Sequence, residues 1–381
     1  MSSPPAMSTS SLPDCILLTA ADAYLGQHRN ITTASTTTSN HDKIEVSLCP
    51  ARPPFPSKLY VHCPDLTLTG GVPRVIRAVE DLFLLRVVIG CPFDAASSLD
   101  DSDYFVYRVG NGRQARGGAN YTVAVLLSMD SPVDYNLHIV HSENPIEWIC
   151  RKVSVTEPLR KSSLVILKRC GRILYHEMST VISIGGEAGT MGWVELWHGI
   201  LFCDVLRDAP TLRAVPVPVP LDLGNPISFR SIAFVKGVGD NPEGCLKLVH
   251  LVKSELLQSG LLGSASDQAL HNLLVSHPAS DISTAADNEG IVYLMARNNY
   301  HLSKGWMLAL DTRKNTLIGA AEFGVEWQPS ALTMYCTSDI CKYIKPSRGD
   351  KRRMLGLLKP ESKDVTFCPE LSESFRRISL G

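Results

Sequence analysis

Residues Gly192–Pro220 read GWVELWHGILFCDVLRDAPTLRAVPVPVP. The run is read as a hydrophobic strand carrying Trp193 and Trp197, then a polar turn, then a returning strand that ends in alternating prolines. Aromatic and β-branched residues suit a half-buried pleated surface. Residues Gly305–Phe323, GWMLALDTRKNTLIGAAEF, repeat the plan with Trp306. Two such hairpins predict a β-rich scaffold of similar units. Their spacing differs, because Asp204 precedes Leu212 by eight positions and Asp311 precedes Leu317 by six. The repeat is therefore degenerate.

The same rhythm runs outward in both directions. Strands are expected at 44–48, 58–63, 73–79, 82–90, 104–109, 121–128, 137–141, 148–155, 164–168, 173–176, 181–184, 232–235, 245–252 and 291–296. Glu80-Asp81 reads as a tight hairpin turn. Asn111-Gly112 is a hairpin signal that joins 104–109 to 121–128, since both residues tolerate positive φ. The Thr- and Ser-rich segment 30–40 suits a surface loop or an edge strand, because β-branched side chains lose χ1 freedom in a helix. Only 267–275, DQALHNLLV, has helical apolar spacing, with Ser266 as its N-cap. Many short strands with little helix point to a sandwich, barrel or propeller. The expectation is a mainly β, propeller-like single domain over residues 15–345. Residues 1–14 are read as a disordered Ser/Pro-rich N-terminus and 346–381 as a charged peripheral tail.

Bulk properties narrow the functional classes. A chain of 381 residues with 44% hydrophobic and 20% charged residues is ordinary globular material. A net charge of −1 gives no electrostatic reason for a nucleic acid or membrane partner. The longest apolar run, near Leu82–Ile89, is too short to span a bilayer. The start lacks a basic segment followed by an apolar one, so an intracellular protein, cytoplasmic or nuclear, is expected. Its eleven cysteines follow no regular spacing and are expected to be reduced and mostly buried.

Several stretches then resemble the plant family known as domain of unknown function 1618, which is expanded in grasses. They are RNITTASTTTS (29–39), FPSKLYVHCPDL (55–66), DYFVYRVG (103–110), EWICRKVSVTEPLR (147–160), the Gly192 run, and IVYLMARNNYHLSKGWMLALDTRKNTLIGAAEFG (291–324). The resemblance implies a fold similar to the propeller-like domains associated with F-box proteins, with no assigned activity and no agreed catalytic residues. Between CLKLVHLV and IVYLM, the family's longer Trp-containing stretch is replaced here by SELLQSGLLGSASDQ. That shortening predicts a missing strand pair and an open edge.

Candidate chemistry is sparse. Trp193, Trp197 and Trp306 are the candidate binding residues, since aromatic rings anchor partners; the alternative is that they fill space between sheets. Asp204, Asp208 and Asp311 lie near strand ends, where an Asp commonly accepts turn N–H groups. The GNGRQA stretch at 110–115 is followed by a strand, not by the helix a dinucleotide site requires. Gly185, Gly186 and Gly189 read as a loop between strands, with an anion nest as the alternative. His62-Cys63 and the Cys336/Cys341 pair have no second pair nearby to complete a zinc site. Leu12-Pro13 resembles the opening of an F-box, a helical module, but the β-branched run at 31–38 argues against one. No catalytic set, cofactor or metal is expected. The leading expectation is a non-enzymatic protein-interaction scaffold with an unknown protein partner. A hydrolase or sugar-active enzyme with a central funnel, or a ubiquitin-ligase substrate adaptor lacking a complete F-box, are the alternatives.

Overall fold

The computed structural model describes residues 12–19, 23–64, 72–89, 102–109, 120–129, 131, 133–156, 180–196, 199–217, 230–235, 244–250, 282–286, 290–296, 304–314, 316–324, 335–344 and 355–358. Among these the chain is mainly β, with one 3-10 turn at Ile340–Tyr343 as its helical element. The helix expected at 267–275, the Asn111-Gly112 turn and the strands expected at 164–168 and 173–176 lie outside the described residues.

The strands fall into six sheets, largely in chain order. The first contains β1 (Ile16–Thr19), β2 (Tyr24–Leu25), β3 (Ala34–Thr37), β4 (Lys43–Cys49) and β5 (Pro56–His62). The second contains β6 (Arg74–Val79), β7 (Leu82–Val88) and β8 (Ser102–Arg108), and the third β9 (Thr122–Ser128), β10 (Asp134–His141) and β11 (Asn144–Ser154). The fourth is β12 (Thr180–Gly185), β13 (Thr190–Glu195), β14 (Gly199–Asp204) and β15 (Leu212–Pro216). The fifth is β16 (Arg230–Val235) and β17 (Cys245–His250), and the sixth is β18 (Ile282–Ala286), β19 (Ile291–Ala296), β20 (Lys304–Asp311) and β21 (Thr316–Gly324). Two late strands then return: β22 (Tyr335–Ser338) pairs antiparallel with β1, and β23 (Leu355–Leu357) pairs antiparallel with β8.

Alternation of side chains gives each sheet two faces, and apolar faces pack on neighbouring sheets. Ile44, Val46 and Leu59 of the first sheet meet Phe83, Leu85 and Phe105 of the second. Ile76 and Tyr104 meet Val125, Leu127 and Trp148 of the third. Tyr135 and Leu137 meet Trp193, Leu201 and Cys203 of the fourth. Val194 and Phe202 meet Ile232 and Phe234 of the fifth. β16 contacts β18 of the sixth, whose Met295 and Met307 pack on Leu17 and Tyr335 of the first. Apolar seams thus join the first five sheets in succession and the sixth to the first, while the fifth and sixth meet through β16 and β18. The strands that open successive sheets are also neighbours across them: β12 touches β16, β16 touches β18, and β18 touches β22.

The Glu80-Asp81 turn forms as expected, with Val79 paired to Leu82 and Glu80 at φ 53°. β3 is an edge strand, paired with β4 alone in its sheet. Other expectations are corrected. Residues 104–109 and 121–128 do not pair with each other. One edge of β8 is taken by β7 and the other by β23, while β9 pairs with β10. The first strand read in the Gly192 run is two strands, so the run holds three and not two. It breaks between Glu195 and Gly199, and β13 and β14 form a hairpin before β15 returns. Of the eight described cysteines, all free, only Cys63, Cys203 and Cys341 are buried; Cys15, Cys49 and Cys336 are half-buried, and Cys150 and Cys245 are exposed. The segment after Pro346 contributes β23 and the buried Leu358, whose N–H donates to the Tyr104 carbonyl at 2.7 Å.

Candidate functional site

The three tryptophans do not come together. Trp193 is 2% exposed and fills the seam between the third and fourth sheets. Trp306 is half-buried on β20, and Trp197 lies outside the described residues. The two Gly-Trp pairs are not equivalent either, because Trp193 sits on the second strand of its sheet and Trp306 on the third. The true correspondence is between the aspartates. Asp204 and Asp311 each end a third strand, and the next residue's N–H reaches back to a positive-φ glycine: Val205 to the Gly189 carbonyl at 3.4 Å, Thr312 to the Gly290 carbonyl at 3.1 Å. Asp311 accepts the N–H groups of Arg313 and Lys314 at 2.9 and 3.0 Å. Asp204 instead accepts from the Thr190 hydroxyl at 2.6 Å and the Arg207 guanidinium at 3.1 Å. Both carboxylates are held below their ordinary range, Asp311 by backbone N–H donors and Asp204 first by the Thr190 hydroxyl. These aspartates organise turns.

A different group of side chains converges on the first sheet. Lys58 and Tyr60 alternate onto one face of β5. Cys49 stands opposite Lys58 on β4, and Tyr24 of β2 stands beside Tyr60. The Tyr24 and Tyr60 ring centroids are 5.6 Å apart, and the Lys58 ammonium lies 4.7 Å from the centre of the Tyr24 ring. The loop between β2 and β3 folds back over this row, and Asn30 pins it. The Asn30 carbonyl oxygen accepts from the Thr32 N–H and hydroxyl, both at 2.7 Å, while its Nδ2 donates to the Leu48 carbonyl at 2.9 Å. Next to it, Arg29 donates to both oxygens of Glu45 at 2.8 and 2.7 Å. Asx turns of this kind fix a loop locally without a helix or strand.

The pinned loop delivers His28. Its ring stacks on Tyr60 at 4.8 Å between centroids with an interplanar angle of 24°. Its Nδ1 lies 3.3 Å from the Cys49 sulfur, to which Asn30 Nδ2 also donates at 3.4 Å. Burial pushes the Cys49 thiol up, opposed by the Asn30 hydrogen bond and the Lys58 charge. Which of Cys49 and Nδ1 donates depends on the imidazole tautomer. His28 and Asn30 are exposed, and Tyr24, Cys49, Lys58 and Tyr60 are half-buried. The exposed apolar side chains Leu25, Ile31 and Phe55 adjoin the group in sequence.

This surface offers stacked aromatic faces, a cation over one of them, amide and imidazole hydrogen-bonding groups and an accessible thiol. Such a combination of apolar bodies with polar tips suits recognition of another protein's side chains. None of its residues was singled out by sequence patterning. The strand over 58–63 was expected, but nothing local in sequence tells that the loop would bring His28 onto it. Among the described residues no three His, Cys, Asp or Glu side chains gather to hold a metal ion, and no helix is long and apolar enough to cross a membrane.

Residues 193–279 match the model of a family described as protein of unknown function (DUF1618). The match begins at Trp193 and takes in β14 to β17, away from the aromatic surface of the first sheet. No curated protein matches the chain.

Proposed function

We propose that this chain is a non-enzymatic protein-interaction scaffold that docks a partner protein on the Tyr24–His28–Tyr60 surface. The observation that carries the proposal is the exposed stack of His28 on Tyr60 beside Tyr24, with Lys58 over the Tyr24 ring. Rings already held against one another lose little freedom on binding, and aromatic anchors dominate interface energetics. The supporting frame is read as a propeller-like ring of six sheets, because each sheet packs on the next and the sixth packs on the first. Loop-borne groups on a rigid sheet frame are a common recognition device. The family match over 193–279 supports the family resemblance there; its extension to the whole chain, with a plant origin and a likeness to F-box-associated domains, is part of the same proposal. The free cysteines fit an intracellular, reducing location.

The test is a paired affinity capture from the native tissue, with full-length wild type and a Tyr24→Ala/Tyr60→Ala variant of unchanged circular dichroism. The expected result is a reproducible protein partner recovered by wild type and depleted at least tenfold with the variant, since losing two aromatic anchors costs about 2 kcal/mol or more. Identical recovery by both proteins would rule out this surface as the docking site.

A further inference from the structure

The outward face of the first sheet is cationic where it meets solvent. Register sets Glu45, Ser47 and Cys49 of β4 opposite His62, Tyr60 and Lys58 of β5, and residues paired in this way share a face. Alternation along β4 adds Lys43 to it. Glu45 is the one carboxylate among these positions, and its side chain is 7% exposed. Arg29 and Lys43 reach it at 2.7 and 3.1 Å, and their own side chains are 59% and 53% exposed. Two cations therefore share one hidden carboxylate, and the trio shows solvent a net positive charge. Lys58 adds a further ammonium on the same face, 4.7 Å from the centre of the Tyr24 ring. The chain as a whole carries −1, so this charge is local to the surface and not a bulk property.

We propose that the partner segment docked on the Tyr24–His28–Tyr60 surface is an acidic peptide, whose Asp or Glu carboxylates meet Lys43, Lys58 and Arg29 while an apolar side chain packs on the rings. The inference rests on the docking reading above and names the chemistry of its partner. Complementary charge steers encounter and rejects like-charged partners. A basic segment would bring its charge against Lys43 and Lys58, where Glu45 is already doubly engaged. Single-stranded nucleic acid is the other polyanion that a cationic aromatic face attracts, and it binds by stacking bases on open rings. Here His28 lies on the Tyr60 ring with 24° between the planes, and Lys58 lies over the Tyr24 ring. Those contacts occupy ring faces that base stacking needs, so the geometry favours the peptide.

The test pans a random phage-displayed peptide library on the immobilised full chain. Selected peptides are then titrated by fluorescence anisotropy, beside a labelled single-stranded RNA oligonucleotide. The expected result is peptides enriched in Asp and Glu and depleted in Lys and Arg, whose affinity falls as salt rises. Binding is expected to be lost in Tyr24→Ala/Tyr60→Ala and weakened at least about fivefold in Lys43→Gln/Lys58→Gln. Neutral or basic peptides that still depend on the two tyrosines would overturn the acidic partner and leave the docking surface standing. Peptides that bind the tyrosine variant as well as wild type would remove the docking surface, and this inference with it. An oligonucleotide that binds more tightly than any selected peptide, and depends on the same tyrosines, would overturn the peptide in favour of nucleic acid. Failure to select any peptide counts against the inference too. Should the Gln variant not fold, peptide composition and salt dependence in wild type decide the matter alone.

Discussion

Glu45 shows how one residue holds the docking loop. Its side chain is 7% exposed, yet it carries a charge, because Arg29 and Lys43 reach it at 2.7 and 3.1 Å. The Arg29 hydrogen bonds, reinforced by Lys43, outweigh burial and bring its pKa from 4.5 down to about 2. A carboxylate with a depressed folded pKa favours the folded state fully above its unfolded value. That contribution fades as pH falls from about 4.5 towards about 2. Arg29→Ala is therefore expected to lower stability most at pH 7 and progressively less as pH falls from about 4.5 towards about 2, as urea denaturation followed by circular dichroism at a series of pH values would show. Gly199 illustrates a steric constraint instead. A Cβ there would lie 2.2 Å from the Val215 carbonyl oxygen, which is backbone and cannot yield without moving β15. Gly199→Ala is expected to cost about 1–3 kcal/mol in urea denaturation, in line with other overpacking changes. The turn role of Asp311 was legible in sequence because its partners lie two and three residues away. The His28–Cys49 contact was not, because it depends on Asn30 tying a loop to Leu48 eighteen positions on.

At the scale of elements, strand existence was legible and strand partnership was not. Alternation marked β4, β5, β7, β8, β10, β12 and β19 with boundaries close to those observed. The choice of neighbour was decided elsewhere in the chain. β8 closes against β23, a three-residue strand in a stretch that reads as charged and irregular. So short a strand carries too little periodicity to be seen, and it persists because β8 offers it a ready hydrogen-bonding edge. The likeness of the two Gly-Trp hairpins misled in a similar way. Composition matched Trp193 to Trp306, whereas the backbone matches Asp204 to Asp311. A chain ending at Lys345 is expected to leave the outer edge of β8 unpaired. Such an edge is a template for association. Light scattering should show this shortened chain self-associating at concentrations where the full chain stays monodisperse, with a lower melting temperature. Equal behaviour of the two would mean that β23 contributes little to protecting the edge.

At the scale of the molecule, the mainly β character followed directly from composition and turn spacing, and the seams explain why. Leu17 faces Tyr335 and the methionines of the sixth sheet, while its neighbours Ile16 and Leu18 face the core shared with the second. Five pairs of sheets share an apolar seam, which leaves few positions for polar residues on the strands that form them. Arg86 and Arg108, which do occupy such positions, are held by partners within the fold, the Ser102 hydroxyl and the Asp81 carboxylate.

β1 pairs on one side with β22, across a separation of about 320 residues, through Leu17 and Thr337. On a ribosome the chain emerges from its N-terminus, so β1 and the early sheets are outside long before their last partner exists. Until the sixth sheet is synthesised the apolar face around Leu17 has nothing native to meet, and until Tyr335–Ser338 follows one edge of β1 stays unpaired. The nascent protein must therefore spend most of its synthesis time with its first strand unsatisfied. For this fold, synthesis of β22, after the sixth sheet is already made, is the event that seals the chain's beginning.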